Sequence, residues 1–203
     1  MSNRGYQLES FIERFLLDLA DQKRDTAMSL RCHRITSSGA MRGDRGDVIS
    51  VNIPFFDKQL LFECKRRKER LKQGMGFTLP ESWLIKNETE AKEYDCHAIF
   101  VGAFTAAQTN RMFVVVDDDI ATDFLHVFDS TPDLIIEVNK KKKFKIRKWN
   151  IDKVFSYLCA SIPTHWIRLN GDTKNWVLIS FDYFKSILEC RKATYGKPKQ
   201  INL

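Results

Sequence analysis

The chain has 203 residues, with 33 Lys+Arg against 26 Asp+Glu and a formal net charge of +7. Apolar residues make up 43% and charged residues 29%, a balance that suits a packed globule and excludes an intrinsically disordered chain. No apolar run approaches the ~18 residues of a membrane span, and a pI near 9.2 directs attention to an acidic partner, nucleic acid first.

The first predicted element is a helix. Leu8, Phe11, Ile12, Phe15, Leu16 and Leu19 fall on one face at helical spacing, with Glu9 at the border of the stripe and Glu13 further toward solvent. The helix is expected to fade near Asp25. A strand over 29–36 follows, then a loop over 37–46 rich in turn formers. Residues 47–53 and 59–65 read as the two strands of a β-hairpin. The segment 66–72 is dominated by charge, and Gly74, Gly76 and Pro80 predict an irregular surface loop after it. Residues 83–94 read as a helix, and 97–105 and 111–116 as apolar strands. Asp117-Asp118-Asp119 is expected to end a strand and open a helix, since carboxylates suit a helix N-terminus. A second hairpin is predicted from 134–138 and 144–148 around Asn139 and a lysine run. A helix over 151–160, strands over 165–169 and 176–179, and a last helix over 181–192 complete the chain. The order predicts an α/β or α+β fold around a mixed sheet.

Cysteine usage fits a reducing, intracellular compartment. Cys32, Cys64, Cys96, Cys159 and Cys190 are odd in number, with no C-x-x-C pair and no signal-peptide core at the N-terminus. Cys32-His33 and Cys96-His97 are adjacent, but strand neighbours point to opposite faces, so buried thiols are expected rather than a zinc site. Trp83, Trp149, Trp166 and Trp176 are expected mostly as core anchors. His33, His97, His126 and His165 show no metal spacing.

The chemistry concentrates in the first hairpin. Asp47 opens its outgoing strand, and Glu63 and Lys65 close the returning one. An antiparallel pair brings those ends together. Glu63 and Lys65 project from one face while Cys64 points away. Two carboxylates and a lysine at one sheet end suit metal-assisted phosphodiester hydrolysis. Mg²⁺ takes oxygen ligands and substrate phosphate, lowers the pKa of a bound water and neutralises charge on the phosphate. Glu9 is placed to join them as a further ligand. The competing reading is a solvated strand edge with cross-strand charge pairs.

Gly5-Tyr6-x-x-Glu9, Ser38-Gly39-Ala40, Gly46-Asp47-Val48-Ile49 and Phe62-Glu63-Cys64-Lys65, in that order, resemble the PD-(D/E)xK nuclease superfamily. Within it they resemble the archaeal-type, Hjc-like Holliday junction resolvases, which phages and viruses also encode. The resemblance covers about residues 1–116. It implies a restriction-endonuclease-like core (αβββαβ), with a C-terminal α+β extension over 117–203, either separate or layered on the same sheet. It also implies Mg²⁺-dependent cleavage of four-way DNA junctions by a homodimer, with Mn²⁺ as a substitute metal. A bacterial, archaeal or virus-infected host cytoplasm is the compartment it suggests.

Carried over, Glu9, Asp47 and Glu63 are expected metal ligands, Lys65 the catalytic lysine and Ser38 a catalytic-loop contact to DNA. Asp44 rivals Asp47, but only Asp47 runs directly into a strand. Arg42, Arg45, Arg66, Arg67 and Lys68, and Lys141, Lys142 and Lys143 of the lysine run, are expected DNA contacts. Two other readings fit the same residues: a restriction-like or repair nuclease acting on other DNA, and a non-catalytic DNA-binding protein retaining the nuclease fold.

Overall fold

The computed structural model describes residues 4–19, 32–34, 48–50, 53, 56–67, 69–71, 74–104, 112–122, 131–155 and 165–195. The N-terminal apolar stripe becomes helix α1 (Arg4–Leu19), which buries Leu8, Ile12, Leu16 and Leu19. Glu9 and Glu13 are both half-buried. Asp25, the expected end of this helix, lies outside the described residues.

Strands β1 (Cys32–Arg34), β2 (Val48–Ser50) and β3 (Gln59–Arg66) pair antiparallel in sequence order. The expected first hairpin is therefore present, with Val48 opposite Phe62 and Ile49 opposite Leu61. After β3 come β4 (Glu69–Leu71), β5 (Gly74–Pro80), helix α2 (Glu81–Glu93) and β6 (Cys96–Ala103). Strand β6 lies parallel beside β3, from Gln59 opposite Cys96 to Arg66 opposite Ala103. A parallel neighbour needs a crossover, and α2 lies on the connecting segment.

The chain continues with β7 (Met112–Asp117), the short α3 (Asp118–Ile120), β8 (Leu134–Glu137), β9 (Lys143–Arg147), α4 (Lys148–Phe155), β10 (Ile167–Asn170), β11 (Asn175–Ser180) and α5 (Phe181–Tyr195). The central sheet has eight strands in the order β1-β2-β3-β6-β7-β11-β10-β8. It is mixed: β3–β6 and β8–β10 are parallel, and the other pairs antiparallel. The fold is thus α/β, a mixed central sheet flanked by helices. Strands β8, β10 and β11 extend the same sheet that the N-terminal hairpin begins.

Both faces are covered, which is why β6 and β7 are apolar almost throughout rather than alternating. One face carries α1 and α5. Phe181 packs against Phe11 and Phe15, and Phe184 against Phe62. The other face carries α2 and a second sheet of three strands, β4-β5-β9. From that small sheet Phe77 meets Phe100, Phe104 and Phe113 edge-on, at ring centroid distances of 6.4, 6.4 and 5.1 Å. Such pairs add about 0.5–1.5 kcal/mol each beyond burial.

Three expectations need correction. The segment 66–80 is not a loop: it holds β4 and β5, with Phe77 and Leu79 fully buried. Its glycines and proline hid a strand whose inward residues alternate. Next, β8 and β9 do not pair as a hairpin. The turn between them does close, with the Lys142 N–H donating to the Asn139 carbonyl at 2.8 Å and Lys142 at φ 55°. Beyond the turn the strands part, β8 pairing with β10 and β9 with β5. Phe144 and Ile146 can then be buried over the central sheet, where Phe144 meets Trp176. Finally, the described cysteines are not uniformly buried: Cys64 and Cys96 are, and Cys190 is exposed.

The aspartate run does cap a helix: the Ile120 N–H donates to Asp117 Oδ1 at 2.8 Å. Trp166 and Trp176 are core residues, Trp83 is half-buried and Trp149 is half exposed.

Gly102 sits opposite Lys65 in the β3–β6 ladder. A Cβ there would stand 2.1 Å from Phe113 Cζ, inside the cluster that Phe77 and Phe104 close. That ring has no vacant space to enter, so Gly102→Ala is expected to destabilise the fold by about 1–3 kcal/mol. Urea denaturation should show it as a lower midpoint with an unchanged slope.

Candidate active site

Strand β3 positions the Glu63–Lys65 pair. Alternation turns Leu60, Phe62 and Cys64 to the α1/α5 face. Leu61, Glu63 and Lys65 turn to the α2 face, where Leu61 packs with Ala91 and Ala98. Toward the end of β3 that second set changes from apolar to charged. Glu63 and Lys65 are ion-paired, their side chains 12% and 33% exposed. β3 lies between β2 and β6 in the sheet; its described pairing with β2 covers Leu61 and Phe62, while Glu63 and Lys65 stand opposite Phe100 and Gly102 of β6. A carboxylate this enclosed costs several kcal/mol of hydration unless a cation or strong donors face it (roughly, for a buried ion). Lys65 supplies one such partner.

Helix α1 reaches the same end of the sheet. Arg66 Nη1 donates to Gln7 Oε1 at 3.0 Å, so the first turns of α1, which carry Glu9, stand beside the end of β3. Asp47, its rival Asp44, and Ser38, Arg42, Arg45 and Lys68 lie outside the described residues. The residue after Asp47, Val48, is buried and pairs with Phe62.

The cationic residues past Lys65 go separate ways. Arg66 points to the α1 side and engages Gln7. Arg67 lies over the Trp83 ring at 4.4 Å, and its backbone N–H donates to the Ala103 carbonyl at 3.0 Å. Trp83 in turn stacks on Phe100, the cross-strand neighbour of Glu63. Trp83 is a partly buried anchor, as its apolar character suggests. Its position beneath a guanidinium depends on where α2 crosses the sheet, and no local pattern signals that. In the lysine run, Lys141 and Lys143 are exposed while Lys142 is ion-paired with Asp172.

A second polar cluster lies on the same face, between α2 and β11. Lys174 Nζ is 2.9 Å from Glu88 and 3.3 Å from Asp117, and Trp176 Nε1 donates to Glu88 at 2.5 Å. Glu81 accepts the Asp172 N–H at 2.8 Å. Its lysine answers two carboxylates and its indole is satisfied, so the cluster reads as a strut fixing α2 to the sheet. The other flank of α2 is different. Asn87 and Glu90 are buried, and each keeps one oxygen without a hydrogen-bond partner.

Burial works to lower the Lys174 pKa, but the Glu88 hydrogen bond and the charges of Asp117 and Glu88 outweigh it and hold the ammonium above its ordinary value. A folded-state pKa raised in this way stabilises the protein in full below the unfolded value of 10.5, and the contribution disappears as pH climbs through the raised folded value. Lys174→Met is therefore expected to cost about 1–2 kcal/mol at pH 7, discounted for partial exposure. It should also flatten the alkaline limb of a stability–pH curve recorded by thermal melting.

Among the described residues, no group of three His, Cys, Asp or Glu side chains is gathered as a metal site. The donor chemistry present there is carboxylate oxygen from Glu63, with Glu9 at the same end of the sheet, which is the ligand type that suits a hard divalent cation. No family model matches this chain, and no curated protein or solved structure matches it either.

Proposed function

We propose that the chain is a Mg²⁺-dependent, structure-selective DNA endonuclease, foremost a Holliday junction resolvase working as a homodimer. The carrying observation is the Glu63–Lys65 ion pair, 12% and 33% exposed, on the strand that β6 flanks. The element order supports the reading. In the central sheet, a helix, a three-strand antiparallel meander, a crossover helix and a strand parallel to the third follow the αβββαβ order that the resemblance implies, with β4 and β5 inserted before the crossover helix. The Val48–Phe62 pairing is the register on which the expected meeting of Asp47 and Glu63 depends.

In this reading Asp47, Glu63 and Glu9 would hold Mg²⁺, with Mn²⁺ able to replace it. The bound cation would supply charge neutralisation at the phosphate and acidify a water. Lys65 donates to a phosphate oxygen and helps orient the attacking water, its ammonium kept in place by Glu63. Ser38, Arg42 and Arg45 hold the DNA backbone near the scissile phosphate. The enclosed setting of Glu63 strengthens each of these charge interactions relative to open solvent.

A labelled four-way junction and a linear duplex of equal length test the proposal. With Mg²⁺ the junction should be cut symmetrically and faster than the duplex, and EDTA should stop both reactions. Lys65→Ala and Glu63→Ala are each expected to lower the single-turnover rate by about 10²–10⁴-fold, with junction binding in EDTA retained. Equal cutting of the duplex would move the assignment to a restriction-like or repair nuclease. Binding without any cutting would reduce it to a DNA-binding protein.

A further inference from the structure

The small sheet presents a feature that the hydrolytic site does not use. Strand β9 alternates cleanly: Phe144 and Ile146 are fully buried, while Lys143 and Lys145 are exposed and Arg147 is half-buried. Across the ladder, Lys143 stands opposite Pro80, Lys145 opposite Thr78 and Arg147 opposite Gly76. The basic side chains thus rise from one face of the sheet beside small or short neighbours. Lys143 and Lys145 form no ion pair among the described residues, whereas the flanking Lys142 and Lys148 are paired with Asp172 and Asp152. Among the described residues, the lysines at both ends of the row are ion-paired and the exposed ones between them are not.

The row also has a direction. Gly76 pairs with Arg147 on one side and with Glu69 on the other, and Glu69 follows closely on Arg67 and Lys65. The Arg147 end is therefore the end next to the Glu63–Lys65 pair, and Lys143 is the far end. Alternate residues of a strand are about 6.6 Å apart, so the row is about 13 Å long. One strand of a duplex passes about four phosphates in that distance, at about 3.4 Å of axial rise each. The row itself is cationic throughout, and the half-exposed Trp149 lies beyond its Arg147 end, on α4.

We infer that the outward face of the β4-β5-β9 sheet is a nucleic-acid track, on which Lys143, Lys145 and Arg147 hold the phosphate backbone of a duplex arm leading into the site. The choice of DNA as the polyanion rests on the nuclease reading; the charge geometry does not. The strands that build the track come from the segment between β3 and α2 and from the C-terminal half, so it gives the C-terminal region a role in substrate binding.

The test uses the full chain in EDTA, where no cleavage occurs, and a fluorescently labelled 30-base-pair duplex over a KCl series. Removal of both lysine charges, in Lys143→Gln with Lys145→Gln, should lower the slope of log K against log[salt] by about 2. The control, Lys185→Gln with Lys192→Gln on α5, removes the same net charge from the opposite face and should leave the slope unchanged. An unchanged slope in the β9 variant overturns the inference. An equal fall in both variants overturns it too, since net charge alone would then explain the binding. A fall seen only with a single-stranded oligonucleotide also counts against it. Because the readout is binding without metal, absence of junction cutting would defeat the nuclease proposal while leaving this one to its own result.

Discussion

Strand β3 has to serve two faces at once, and much of the molecule follows from that constraint. It lies between β2 and β6, and its side chains decide what packs above and below. Leu60, Phe62 and Cys64 give the α1/α5 face an unbroken apolar line. The opposite face begins apolar at Leu61 and ends in Glu63 and Lys65. A charge pair on an interior strand is stable only if covering elements enclose it without stripping it of partners. The structure meets this by crossing α2 and the small sheet over the apolar part and stacking Trp83 on Phe100, the cross-strand neighbour of Glu63.

Much of this was legible in the chain. Helix α1, the β2–β3 hairpin and the Glu63/Lys65 face follow from periods of 3.6 and 2, which local sequence carries directly. What was not legible is which strand meets which. Lys143-Phe144-Lys145-Ile146-Arg147 shows the right alternation, yet nothing in it names β5 as the partner instead of β8. The choice is set by where Phe144 and Ile146 can be buried, a property of the assembled sheet. Strand β5 was hidden for a related reason. Gly74, Gly76 and Pro80 are breakers by propensity, but Phe77 and Leu79 bury enough surface to override them, as tertiary context does for strands generally. In the site itself the order of motifs pointed to Glu63 and Lys65. Arg67 over Trp83 depended on a crossover geometry that spacing cannot encode.

Helix α2 shows how the polar interior divides its labour. One flank is bolted down: Glu81 holds the 171–174 turn, and Glu88 holds both Lys174 and the Trp176 indole. Gly171 is required there, because a Cβ would come within 2.4 Å of Glu81 Oε1 and 2.5 Å of the Trp176 ring. On the remaining buried surface, Asn87 and Glu90 leave oxygens unmatched, at a cost of order 1–3 kcal/mol for each unsatisfied group. The saturated flank supplies the rigidity that lets the other carry this cost.

The two sheets are also linked by electrostatics. The net charge of +7 is not spread evenly, because many carboxylates of the α2 face are consumed internally by Lys174, Arg168 and backbone donors. Among the described residues, the exposed Lys143 and Lys145 of β9 form no ion pair, while Lys142 and Lys148 beside them do. At about 0.15 M salt the Debye length is about 8 Å, shorter than the 13 Å or so that the β9 row spans. A phosphate backbone would thus be held locally, residue by residue, and its path would be fixed by the direction of β9. That direction is set by the burial of Phe144 and Ile146 over the central sheet, so packing in the core determines where the surface charge can lead.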